Sequence, residues 1–153
     1  MSSNSISTQS AENDYGFDLV ASASAGPWRV LIDETHSGPE KWFVQLHGPS
    51  VYFSFEISSP KTIDTLVHFL EQSAESNPSS SRNKSNSSLL VSTPSEVPVT
   101  VIRDDEYADR CFLVLGAEAG VIVRYTFAGV DLANLTEALR KTKNELKSEG
   151  LLS

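Results

Sequence analysis

The feature that most constrains this chain is a pair of strictly alternating runs about 70 residues apart, each followed by an amphipathic stretch of helical period. In the first run Val51, Phe53, Phe55 and Ile57 fall on one side, with Tyr52, Ser54 and Glu56 on the other. In the second, Val121, Val123, Tyr125 and Phe127 alternate in the same phase against Ile122, Arg124 and Thr126. Side chains of a strand point to opposite faces with a period of two, so both runs read as strands of a sheet with one buried face. The period then lengthens: Ile63, Leu66, Val67 and Leu70 form one stripe, and Leu132, Leu135, Leu139 and Leu146 the other. Each stripe gives a helix one apolar face to lay on a sheet.

The same order of elements repeats upstream. Trp28 to Ile32 and Trp42 to Leu46 are strand candidates in the first half, matched by Val97 to Ile102 and Cys111 to Leu115 in the second. The segments His47 to Ser50 and Gly116 to Gly120 sit at equivalent places and carry the Gly and Pro expected of hairpin loops. Tyr15 to Ala21 and Leu89 to Ser92 supply a further strand to each unit. The expected fold class is α+β: two antiparallel sheet-plus-helix units, β-β-β-(β)-α twice, packed either as one pseudo-symmetric domain or as two tethered ones. Ser59, Thr62 and Asp131 are candidates to cap or favour the helix starts.

Residues 73–88, SAESNPSSSRNKSNSS, contain no aliphatic side chain longer than alanine, so ordering them gains too little buried surface to offset the entropy. They read as a linker between a first unit at 13–72 and a second at 89–153, and residues 1–12 read as a disordered tail. At 153 residues and 39% hydrophobic content there is material for one ordinary core or two small ones.

Composition narrows the function. A net charge of -8 opposes whole-molecule attraction to phosphate backbones. No apolar run approaches the roughly 20 residues that span a bilayer, and the first residues show no basic stretch leading into an apolar one, so the expectation is a cytoplasmic protein with no membrane role. Cys111 is alone in the chain, which excludes an intramolecular disulfide, and its strand neighbours mark it as a small buried residue. His36, His47 and His68 have no ligand at metal-binding spacing, and no cofactor is expected. No phosphate loop, nucleophile elbow or zinc-protease helix is present.

Two acidic groups, Asp33-Glu34 and Asp104-Asp105-Glu106, occupy corresponding hairpins. Paired carboxylates serve general acid and base chemistry or bind a divalent cation, which is the one route to a carboxylate-dependent enzyme here. At strand ends, however, consecutive acids are readily solvated and terminate pairing, and the expectation is a protein that is not an enzyme.

What remains is the sheet face opposite the helices. Alternation puts Arg29, Leu31, Phe43, Gln45, Tyr52 and Ser54 there in the first unit, and Phe112, Val114, Ile122 and Arg124 in the second. Such a face is too apolar to be left in water, so the leading expectation is an oligomer or a complex with a protein partner, made through Phe43, Tyr52, Phe112, Ile122 and Arg124.

Four strands and a helix, twice over, with Trp28 to Asp33, Trp42 to Leu46, Val51 to Ile57, the helix of Thr62 to Gln72 and their second-unit counterparts, resemble the PUR-repeat and Whirly-type single-strand nucleic-acid-binding proteins. The resemblance implies curved sheets that present aromatic and basic residues to bases and phosphates, and Arg29, Phe43, Tyr52 and Arg124 are the residues here that answer to it. Only two of those four are cationic, and counterion release from two arginines gives weak binding. Arg140, Lys141, Lys143 and Lys147 alternate with Glu137, Glu145 and Glu149 along the last helix, the pattern of a solvated face.

Overall fold

The computed structural model describes residues 17–35, 40–75, 88–93, 97–104, 106–107, 109–116 and 123–152. The first unit comprises β1 (Phe17–Ala25), β2 (Trp28–Thr35), β3 (Trp42–His47), β4 (Tyr52–Ile57) and helix α1 (Lys61–Glu75). The second comprises β5 (Ser88–Leu90), β6 (Val99–Arg103), β7 (Arg110–Leu115), β8 (Val123–Ala128) and helix α2 (Val130–Ser148). Each set of strands forms an antiparallel sheet in sequence order, β1-β2-β3-β4 and β5-β6-β7-β8. The duplicated ββββα plan is therefore the architecture of the molecule.

The inner faces carry the residues that alternation assigns to them, except that Val123, at the start of β8, is 54% exposed. Trp28, Val30, Ile32, Trp42, Val44, Leu46, Phe53, Phe55 and Ile57 from the first sheet are buried, as are Val99, Val101, Cys111, Leu113 and Phe127 from the second. They belong to one continuous cluster that also holds Ile63, Leu66, Val67 and Leu70 of α1 and Leu132, Leu135, Leu139 and Leu146 of α2. At its centre Leu46 and Phe55, Val101 and Leu113, and Leu70 and Leu139 line the same small apolar space, so both sheets and both helices meet there. The two units share a single core.

The sharing is achieved by exchange of helices. Helix α2 packs chiefly on β1 and β2 of the first sheet, while α1 lies against β7 of the second and against α2. Strand β1 is built to receive α2. Its run Ala21-Ser22-Ala23-Ser24-Ala25 alternates residues too small to register as an apolar face in the sequence, and alanines let a helix approach closely. Strand β1 therefore reaches four residues beyond the Ala21 expected from sequence.

A seam of aromatic rings closes the exchange. Trp28 lies 6.1 Å from Tyr125 and 5.4 Å from Phe127, and Phe53 lies 5.7 Å from Tyr125, in the tilted and edge-on geometries that aromatic pairs prefer. Asp131, the second residue of α2, accepts the Trp28 Nε1 hydrogen at 2.5 Å and the Tyr125 hydroxyl at 3.3 Å, so it binds the seam instead of capping the helix. At α1 the Ser59 hydroxyl accepts from Lys61 N–H. Gly48 packs under the Trp28 ring, where an added Cβ would lie 2.6 Å from it. Between the helices Arg140 pairs with Glu71 at 2.8 Å and Lys143 with Asp64 at 3.3 Å.

Candidate protein-interaction faces

Cross-strand register determines which outward side chains are neighbours. On the first sheet three rows run across the outer face: Arg29, His47 and Tyr52; Leu31, Gln45 and Ser54; Asp33, Phe43 and Glu56. On the second sheet the corresponding rows are Leu90, Thr100, Val114 and Arg124, then Ser88, Ile102, Phe112 and Thr126. Phe43 and Phe112 occupy equivalent positions, since each follows the buried first inward residue of its strand, Trp42 or Cys111.

Around Phe43 the neighbours are acidic. Asp33 and Glu56 flank it in register, and the Asp33 carboxylate accepts a hydrogen bond from Gln45 Nε2 at 2.7 Å. Gln45 Oε1 lies 3.1 Å from His47 Nε2, and the His47 ring rests 4.5 Å from Tyr52. This polar chain holds the side chains in place across three strands. Tyr52 remains 55% exposed at its end.

Around Phe112 the neighbours are basic. The Arg124 guanidinium sits 4.7 Å above its ring and that of Arg110 5.9 Å from it, within reach of cation–π attraction. Val114 is only 6% exposed although it points outward, which leaves Leu90, Ile102 and Phe112 as the apolar surface. Ile122 lies outside the described residues.

Sequence reasoning placed Arg29, Phe43, Tyr52, Phe112 and Arg124 on outer faces, and that is where they lie. It divided them between two units without arranging them within a face. The structure brings Arg29 and Tyr52 to one end of the first face and Phe43 to the other, and it holds Phe112 and Arg124 on a different sheet. The signal that separates them is register, which also adds His47, Arg110 and Ile102 to the faces.

The acidic hairpins have structural partners. Asp104 accepts hydrogen bonds from the Glu106 N–H at 2.7 Å and from Arg110 Nε at 2.5 Å. Burial by itself would raise the Asp104 pKa, but the bonds from Glu106, Arg110 and Tyr107 and the Arg110 charge together hold it below its ordinary 3.8. Asp105 lies outside the described residues. Among the described residues no group of three or more His, Cys, Asp or Glu is placed to hold a metal ion, and no helix is long and apolar enough to cross a membrane. Cys111 is fully buried, and His68 is exposed on α1 beside Gln72.

Sheet edges contrast with the faces. The outer backbone edge of β1 is covered by α2: Glu145 accepts from Ser22 N–H at 3.0 Å, and Lys141 Nζ donates to the Ser24 carbonyl at 3.2 Å. On β4 the Glu56 carbonyl accepts from Thr93 N–H. Edges guarded in this way resist addition of another strand. No protein-family model, curated protein or solved structure matches the chain.

Proposed function

We propose that this protein is a non-enzymatic interaction module that binds protein, either a copy of itself or another chain, through the outer faces of its two sheets. The observation that carries the reading is the pair of Phe-centred faces: Phe43 and Phe112 stand outward and half-buried at equivalent positions of the two sheets. Among the described residues both helices are committed to the inner core, and the half-exposed apolar side chains Leu90, Ile102 and Phe112 form a surface that contact with protein would cover. On the first sheet the guarded edges of β1 and β4 favour the face over strand addition as the mode of contact.

A single-strand nucleic-acid binder is the second reading. Arg124 over Phe112 and the row Arg29, His47 and Tyr52 favour it, since both combine a cation with a stacking surface. Asp33 and Glu56 on the first face and the net charge of -8 weigh against it.

Photo-crosslinking residues at Ser54 and Thr126, one on each outer face, test the reading, with the exposed helix positions Ala133 and Asn144 as controls. The expected result is protein adducts from the face positions and none from the controls. Adducts to nucleic acid alone, or equal yields from faces and controls, defeat it.

A further inference from the structure

We infer that the outer edge of β8 is a strand-pairing site and that its occupant is β8 of a second copy of this chain, laid antiparallel across a two-fold axis at Thr126. The site stands apart from the outer faces, which this pairing leaves open.

The duplicated plan explains why this edge differs from its counterpart. Strands β4 and β8 are the last of their sheets and form equivalent edges. In the second unit residues 91–98 connect β5 to β6 and carry Thr93 to β4, where its N–H donates to the Glu56 carbonyl at 2.9 Å. In the first unit the matching connection is Gly26-Pro27 alone, and a proline has no N–H to give. Trp28 follows that turn and lies 5.4 Å from Phe127, on the inner side of β8. Among the described residues, the backbone of β8 makes no hydrogen bond outside its ladder with β7. Val123, Arg124, Thr126 and Ala128 are exposed, Val123 even though its phase is inward.

Alternate residues of an edge strand turn N–H and C=O away from their neighbour, so β8 presents a row of donors and acceptors ready for another strand. The opposite edge of this sheet, β5, is three residues long and blunt.

The side chains of β8 select a second β8. Opposed residues of an antiparallel pair share a face, so a two-fold axis sets one residue of the strand opposite itself. Thr126 is the middle of the three exposed outward residues, and an axis there opposes Thr126 to Thr126 and Arg124 to Ala128, with Tyr125 opposite Phe127 on the inner side. Threonine pairs and aromatic pairs stabilise a sheet, and the small Ala128 leaves the Arg124 guanidinium its place over Phe112. Strand β8 carries one cation and no carboxylate, so an axis at Arg124 would oppose two guanidinia, whereas this one keeps them apart. The product is one eight-stranded sheet with the short β5 of each copy at its ends, and association stops at the dimer. Six residues a side is small beside the roughly 20–30 of a standard interface, so the dissociation constant lies above about 1 μM.

Sedimentation velocity on the full chain over a concentration series tests this, using wild type, Thr126→Lys and Thr100→Lys. Thr100 lies on the same outer face but on β6, away from the edge. Wild type is expected to pass from monomer to dimer as concentration rises. Thr126→Lys sets two ammonium groups opposite each other and weakens dimerisation about tenfold, while Thr100→Lys dimerises like wild type. A wild type that stays monomeric, a Thr126→Lys that dimerises like wild type, or equal loss in both variants overturns the proposal. Equal loss assigns the association to the outer face instead, which separates failure of the edge from failure of the face reading.

A second measurement holds even if Thr126→Lys does not fold. Thr126→Cys is treated with a short bifunctional thiol reagent, with Ala128→Cys as the control; the native Cys111 is fully buried and out of reach. Crosslinked dimer is expected from position 126 and not from 128, because only residue 126 meets its own copy. Equal yields overturn the proposal. A monomeric wild type whose Thr126 position photo-crosslinks to a different protein also overturns it, and identifies a strand of that protein as the occupant of the edge.

Discussion

The two sheets are alike on the inside and differ on the outside. Their inner faces follow one phase, Trp42, Val44 and Leu46 in β3 against Cys111, Leu113 and Leu115 in β7, and line one core. Their outer faces centre on equivalent phenylalanines, but Phe43 is flanked by Asp33 and Glu56, whereas Phe112 is flanked by Arg124 and by an Arg110 that pairs with Asp104. The contrast shows where each kind of constraint acts. Packing at near-crystalline density holds the inner pattern fixed, while water tolerates either sign on the outer one.

The largest expected effect comes from attacking what the halves share. Phe127→Ala removes a buried ring between Trp28 and Tyr125 and is expected to lower stability by about 3–5 kcal/mol, with both halves unfolding in one transition. Two separate calorimetric transitions would break the comparison, since they would mean that each sheet has its own core.

A smaller effect is expected at the turn beneath Trp28. Gly48→Ala places a methyl 2.6 Å from that ring, which must shift out of its contact with Phe127; overpacking of this kind costs about 1–3 kcal/mol. Chemical denaturation measures it, and an unchanged midpoint would show that the seam has slack.

The smallest effect is expected at the hairpin of the second sheet. The Asp104 pKa is depressed in the folded state, so its contribution is complete above the ordinary value of 3.8 and is lost as pH falls through the lower folded value. Asp104→Asn is therefore expected to flatten the fall of melting temperature below about pH 4. A melting temperature that falls as steeply in the variant as in wild type would show that the bonds from Glu106 and Arg110 add no stability.

Much of the fold is legible in residue order. Val51 to Ile57 alternates and so does β4 (Tyr52–Ile57); the Leu132, Leu135, Leu139 and Leu146 stripe is the buried side of α2. Strand β1 is legible only in part, because alanine and serine differ little in hydropathy even where they alternate. Asp131 reads as a helix-start residue, and the first turn is where it lies, but its partner Trp28 is 103 positions away and no local pattern names it. The candidate faces divide in the same way. That Phe43, Tyr52, Phe112 and Arg124 point outward follows from a period of two, whereas which charges stand beside them requires the register of neighbouring strands.

Sequence by itself determined the elements, their order, their duplication and the side of each that avoids water, because periods of 2 and 3.6 are properties of a single segment. Only the tertiary structure decided that the helices trade sheets and that Asp33 and Glu56 stand beside Phe43 while Arg124 lies over Phe112. An amphipathic stripe specifies that it must be covered but not by which sheet, and the charge around a ring is set by residues drawn from three strands at once.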